Sequence, residues 1–230
     1  MSQHFIDFIV GIIVVDFATA LFHWIEDNFL HYNHRLFTTI SIYNELHHYK
    51  PRAVLNSSNI ECCIENFVLS VSSCIVLSLL IDFKKHITFF ATVLVFGSLT
   101  NLIHKFQHQR DCERNKIITV LMNMGVIVSR ETHKRHHANG MTNYGVFISP
   151  LNTFYDTIHI WSGMEHVLKI FGVQACKKRG VQQYPDFNNK DTYDDECPPP
   201  VTGEDVKEYL KRLHQLYETL PLCRNDEHNR

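Results

Sequence analysis

Three long apolar runs in the first 103 residues constrain this chain more than any other feature. They are Phe5 to Trp24 (FIDFIVGIIVVDFATALFHW), Phe67 to Ile81 (FVLSVSSCIVLSLLI) and Ile87 to Ile103 (ITFFATVLVFGSLTNLI). Each is roughly 15–20 residues long, near the lower limit for crossing a bilayer. Any one of them alone reads as a buried helix in a soluble core. Three in close succession, each ending near a cluster of histidines, predict an all-α, integral-membrane helical bundle of about three spans. The last two are separated only by Asp82-Phe83-Lys84-Lys85-His86, which fits a tight helical hairpin. Asp7 and Asp16 interrupt the first run. An acid inside a span faces a cavity or the bundle interior.

The distribution of basic residues orients the spans. No Lys or Arg precedes Arg35, whereas Arg35, Lys50 and Arg52 follow the first span. Lys105, Arg110, Arg114, Lys116, Arg130, Lys134 and Arg135 follow the third, and the hairpin loop carries only Lys84 and Lys85. This asymmetry predicts an outside N-terminus and a cytosolic C-terminus. Met1–Gly11 lacks the basic start of a cleaved signal peptide, so the first span is expected to be retained. Charged residues make up 20% of the chain against 45% hydrophobic, which excludes wholesale disorder, and a net charge of −2 does not mark a nucleic-acid binder. The seven cysteines include no CxxC pair and are odd in number, which argues against a disulfide framework or a thiolate zinc site.

Beyond the spans, Lys116 to Val128 (KIITVLMNMGVIV) is apolar but too short to cross. It reads as an interfacial helix or one packed under the histidine clusters. Val146 to Trp161 is a second such segment, broken by Pro150. From Gln174 the chain turns polar, with a break at Pro198-Pro199-Pro200. Thr202 and Asp205 then resemble a capping box. Val206, Leu210, Leu213, Tyr217 and Leu220 recur at helical spacing and predict one amphipathic helix. The division expected is a membrane domain over 1–173 and a polar extension over 174–230.

The chain holds sixteen histidines, about three times ordinary usage. Eight fall into four short clusters. His23 and Asp27 are four apart at the end of the first span, and His104 and His108 are four apart at the end of the third. On a helix such pairs share a face and can aim two ligand atoms at one point. His133, His136 and His137 stand at i, i+3 and i+4. His47 and His48 are adjacent and diverge by about 100° on a helix, so they can serve different metals, or one can sit behind the other. Eight imidazoles and one carboxylate are about twice what one zinc needs, and suit two metal ions. Imidazole with carboxylate favours iron, zinc, copper or nickel over calcium or magnesium. A redox metal at a membrane surface points to O2 chemistry. A zinc hydrolase would add a general-base carboxylate in an HExxH-like arrangement, and none is present. No catalytic side chain is expected beyond the metal ligands. His31 and His34 read as surface or interfacial, while Asp16 and Asn101, the latter one turn before His104, are candidates to support the ligands.

These segments resemble the Kua-type lipid desaturase family of integral-membrane di-iron enzymes. The resemblance rests on Asp16-Phe17 leading to His23-Trp24 and Asp27, His47-His48 with Pro51, and Ile60-Glu61 with Asn66. It continues through Thr100-Asn101 with Ile103-His104-Lys105 and His108, and Val126-Ile127-Val128 through Arg130 to His133, His136 and His137. Tyr144 and Asn152 extend it more weakly. The resemblance implies two iron ions held by the nine clustered side chains, O2 as co-substrate, and supporting roles for Glu61 and Asn66. It also implies a phospholipid substrate and a cytochrome b5-type electron donor. The endoplasmic reticulum membrane is the expected location, multi-pass, with the boxes on the cytosolic side. The favoured substrate is the 1-O-alkyl chain of an ether phospholipid, converted to a vinyl ether as in plasmalogen formation. Ile25 and Glu26 stand where the family has small residues, so Glu26 competes with Asp27 as the carboxylate ligand. Thr132 replaces a histidine of the last box. A fatty-acyl desaturase, a lipid hydroxylase and a non-catalytic metal-binding scaffold remain alternatives.

Overall fold

The structure, a computed structural model, describes residues 1–30 and 38–173, together with Ala175, Gly203, Glu204, Lys207, Leu210, Lys211 and Gln215. Among these residues there is no strand, only an isolated antiparallel bridge between Ile127 and Ile148. Three helical stretches are long and apolar enough to cross a membrane: Gln3–Asn28, Asn59–Ser78 and Ile87–His108. The fold is an all-helical membrane bundle.

Helix α1 (Gln3–Asn28) starts at Ser2, whose side chain accepts the Phe5 N–H. Its two interior acids are buried and occupied. Asp7 Oδ1 accepts from Gln3 Nε2 at 2.8 Å and lies 3.0 Å from His86 Nδ1. Asp16 Oδ1 accepts the Ile148 N–H at 2.8 Å. The short helix α2 (Thr38–Tyr49) leads into a 3-10 turn over Pro51–Asn56. Helix α3 (Asn59–Ser78) then returns through the membrane. It begins eight residues before the apolar run does, because Ser58 and Glu61 form a capping box that starts the helix in the polar stretch.

The third span is α4 (Ile87–Ser98) continued by α5 (Thr100–His108), with a tightened turn at Leu99. It runs parallel to α1: His4 pairs with Thr88, Asp7 with His86, and Gly11 with Thr92. A Cβ on Gly11 would sit 2.8 Å from Thr92 Cβ, so only glycine permits this approach of the two helices. Parallel packing puts the C-terminal ends of both spans, and hence both i, i+4 pairs, at the same face of the bundle.

Four shorter helices complete that end: α6 (Lys116–Asn123), α7 (Arg130–Asn139), α8 (Ser149–Thr157) and α9 (Ile160–Ile170). Ser129 caps α7, and Gly140 ends it at φ 62°, a left-handed conformation that suits glycine. Pro150 lies in the first turn of α8, where its missing N–H costs nothing, so it starts a helix instead of breaking one. Two clusters form the core. Val15, Phe89, Phe90 and Val93 enclose Val146 and Phe147, and Ala20 and Trp24 pack with Tyr144, Tyr155 and Trp161. His31, His34, Arg35 and the amphipathic pattern from Val206 to Leu220 lie outside the described residues, apart from the scattered positions named above.

Candidate metal centre

The four histidine clusters reach one place from four helices. His23 and Asp27 come from the end of α1, His47 and His48 from the end of α2, His104 and His108 from α5, and His133, His136 and His137 from α7. They sort into two groups whose ligand atoms lie within 4.8 Å of one another: His47, His104, His108, His133 and His137, and separately His23, Asp27, His48 and His136. The adjacent pair His47-His48 is divided between the groups, as the helical divergence of neighbours allows. Glu26, the competing carboxylate, belongs to neither group.

The ring nitrogens face each other in a way that imidazoles alone do not favour. In the five-histidine group, Nε2 of His104, His108 and His133 form a triangle with sides of 2.8, 2.9 and 3.2 Å, and His137 Nε2 is 3.0 Å from that of His133. A neutral imidazole carries one N–H, so three mutually adjacent nitrogens cannot all be satisfied by donating to each other. A cation does satisfy them. With metal–nitrogen bonds of about 2.1 Å, neighbouring nitrogens lie about 3.0 Å apart around a six-coordinate ion and about 3.4 Å around a tetrahedral one. The sides of the triangle lie near the spacing that nitrogens sharing one ion adopt.

The second group makes the same point through its tautomers. His23 Nδ1 lies 3.0 Å from the Tyr144 carbonyl and His136 Nδ1 2.8 Å from the Thr142 carbonyl. A carbonyl only accepts, so both Nδ1 atoms carry hydrogen and both Nε2 lone pairs point inward. They face Asp27 Oδ2 at 3.8 Å from His23 and 3.2 Å from His136, and all three atoms are buried without a hydrogen bond. Acceptor facing acceptor in a buried site is unfavourable until a cation lies between them. The donor set and its geometry therefore fit two bound metal ions.

Other residues hold the frame. Asp27 Oδ1 accepts from Asn44 Nδ2 at 2.9 Å and lies 3.0 Å from His48 Nε2. Asn28 Nδ2 donates to the Tyr144 hydroxyl at 3.1 Å, and that hydroxyl donates to the Gly140 carbonyl at 2.7 Å. Arg52, fully buried, donates to the His108 carbonyl at 3.3 Å and to Glu113 at 2.8 Å, tying the turn after α2 to the end of α5. Lys105 Nζ donates to the Ser57 carbonyl at 2.5 Å. Sequence reasoning passed over Asn44, although it stands four before His48 on the same helical face.

Two supporting roles are corrected. Asp16 holds the Ile148 N–H and not an imidazole, since the Tyr144 carbonyl serves His23. Glu61 is exposed and caps α3, accepting the Ser58 N–H at 2.6 Å. Asn66 and Asn101 are half-buried on α3 and α5 and belong to neither ligand group. His86 and His4 serve the far end of the bundle, bound to Asp7 and Thr88.

Burial, and after it the neighbouring imidazoles, push His47, His133 and His137 well below the ordinary histidine range. The folded site keeps these rings neutral and ready to bind metal, while the unfolded chain takes up protons below about pH 6.5. Their contribution to stability is therefore complete above that pH and declines as pH falls. Metal-free protein in detergent is expected to show a melting temperature that drops as pH is lowered from about 7.5 to 5.5. A melting temperature that rises over this interval would contradict the burial of these rings.

A family model described as the lipid desaturase domain matches residues 12–178. Among curated proteins, a probable fatty acid desaturase of Acanthamoeba polyphaga mimivirus is 28% identical over 177 residues, covering 76% of this chain and 87% of that protein. Fatty acid desaturase 4-like 2, chloroplastic, of Arabidopsis thaliana is 27% identical over 169 residues, covering 70% of this chain and 58% of that protein. No solved structure matches. The family match begins within α1, takes in every helix that delivers a ligand to the two groups, and ends just beyond α9: this chain belongs to the lipid desaturase domain family, and is a membrane desaturase.

Proposed function

We propose that this chain is an O2-dependent desaturase that holds two iron ions in the nine-residue site, and that its substrate is the 1-O-alkyl chain of an ether phospholipid, converted to a vinyl ether. The observation that carries the redox reading is the pair of adjacent donor groups, one of five imidazoles and one of three imidazoles with a carboxylate. Bound iron would supply the electron-transfer chemistry with O2 that these side chains lack. In the overall reaction the lipid chain loses two hydrogens and O2 becomes two waters, with two further electrons and two protons from outside. We assign those electrons to a cytochrome b5-type donor at the cytosolic face of the endoplasmic reticulum membrane. Exposed Lys116 and Arg135 on that side suit an acidic partner.

The chain's own residues orient and dry the site. The carbonyls of Tyr144 and Thr142 fix two imidazole tautomers, and Asn44 holds one oxygen of Asp27. Tyr144 packs against His23 and His136, and Trp24 and Trp161 back it from the core, so that flank is closed to water. The ether-lipid substrate is supported by the box-by-box resemblance to the Kua-type family. The names of the two curated relatives support a second reading, in which an acyl chain is desaturated.

Lipid analysis of desaturase-deficient cells expressing this chain separates the readings. An ether lipid lighter by two hydrogens, with an acid-labile chain, is the expected product. The same mass loss confined to ester-linked chains selects the acyl reading, and gain of one oxygen selects hydroxylation. An unchanged lipid profile in cells that hold the metal-loaded protein and a reducing donor would remove the enzymatic reading.

A further inference from the structure

Depth within the bundle reveals a segment that the three spans do not account for. Phe5 to Trp24 covers about 30 Å of helix, the thickness of the hydrocarbon core. Asp16 lies eight residues before Trp24, so its carboxylate is about 12 Å inside that core. Yet it accepts the N–H of Ile148, far beyond the last span. The third span agrees: Phe147 packs edge-on against Phe96 at 6.3 Å, and Phe96 lies eight residues, again about 12 Å, before His104. Val126–Val128 shares this depth, because the Val128 N–H donates to the Phe147 carbonyl at 3.0 Å and the Ser149 N–H to the Val126 carbonyl at 3.2 Å.

Helix α6 connects the surface to this level. Arg114 fixes its start at the end of α5, donating to the carbonyls of Phe106 and Gln109 at 3.0 Å and to Thr119 Oγ1 at 3.2 Å. The eight residues of α6 then run about 12 Å, which matches the descent. Gly125, at φ 70°, turns the chain back. Irregular backbone is tolerated at membrane depth only where its polar groups are satisfied within the protein. At the shallow end of this turn the buried Gln107, three residues past His104, donates its Nε2 to the carbonyls of Val128 at 3.3 Å and Val146 at 2.7 Å. Asp16 takes the Ile148 N–H. The outer face of the descending segment is apolar and open: Ile117 is 70% exposed, Val120 54%, Met124 69% and Val126 43%, while Met122 on the inner face is buried.

We infer that α6 and the turn after it form a re-entrant wedge in the hydrocarbon of the histidine-side leaflet, with lipid acyl chains against Ile117, Val120, Met124 and Val126. Continuity with the lipid-facing surface of the spans selects this occupant, since the wedge descends beside them to the depth of Asp16 and Phe96. Gln107 and Asp16 are the polar anchors that let a non-helical turn persist there.

Tryptophan scanning in full-length protein in phosphatidylcholine vesicles tests this. Both native tryptophans, Trp24 and Trp161, are buried and give a constant background. Val120→Trp and Met124→Trp are expected to lose most of their added emission in lipids brominated on the acyl chains and little to aqueous iodide. Met124→Trp should respond more to bromines placed deeper in the chain. Glu131→Trp, at the exposed start of α7, should show the reverse. Quenching of the α6 positions by iodide and not by bromolipid would place the helix in water. Protection from both quenchers would mean that protein, including a second copy of this chain, covers the face. Either result overturns the wedge.

Discussion

His133→Ala is expected to abolish turnover and to remove one of the two metal ions. The His133 ring is fully buried, and its Nε2 lies 2.8 Å from that of His104, 2.9 Å from that of His108 and 3.0 Å from that of His137. It is thus common to three edges of the five-imidazole group. Alanine deletes that donor and leaves a void at its centre, and of the Nε2 contacts described only the 3.2 Å edge between His104 and His108 survives it. The second group keeps Asp27, His23, His48 and His136, so metal content should fall toward one ion per chain and not to zero. Membrane insertion should persist, because the ring sits beyond the spans. The measurements are metal stoichiometry on purified protein and product formation from lipid. Two ions per chain with more than about a tenth of wild-type turnover would remove His133 from the site.

Much of this arrangement is written locally, and the rest is not. The i, i+4 pairs on α1 and α5 and the i, i+3, i+4 set on α7 follow from helical periodicity alone: the pairs stand where an apolar run gives way to polar residues, and the α7 set lies in a short polar helix that Ser129 caps. That these ends share one face of the bundle depends on α1 and α4 running parallel, which needs only the intervening antiparallel hairpin. The division of His47 from His48 between the groups follows from the angle between neighbouring helix positions. Other features depend on contacts across more than a hundred residues. Nothing near Asp16 announces that it receives the Ile148 N–H, and nothing near His23 announces the Tyr144 carbonyl. In both, one partner is backbone, and backbone leaves no mark in composition. Glu61 shows the opposite failure. Its spacing from Ser58 is a local capping signal, and that signal correctly sets the start of α3, whereas the supporting role suggested by resemblance does not match its exposed position.

Asp27→Asn is expected to be as damaging as loss of a histidine, although it changes almost no volume. Asp27 is the only acidic side chain among the nine. Its charge offsets part of the positive charge that two metal ions bring into a buried site otherwise lined by neutral rings. Geometry adds a second constraint. Oδ1 accepts from Asn44 Nδ2, while Oδ2 faces the inward lone pairs of His136 and His23. An amide has one oxygen and one NH2 to place. With the NH2 at the Oδ1 position, two donors would oppose each other against Asn44. With the NH2 at the Oδ2 position, it would donate to the imidazole nitrogens that should bind metal. Neither orientation restores the site. Asp27→Asn should therefore insert and fold, with metal retention and turnover weaker by about 10–100-fold or more. Glu26→Gln is the control, one residue away but about 100° around the helix and outside both donor groups. It should retain both metal ions and near-normal turnover. A reversal, with Glu26→Gln inactive and Asp27→Asn active, would mean that the end of α1 presents a different face to the imidazoles than the one described.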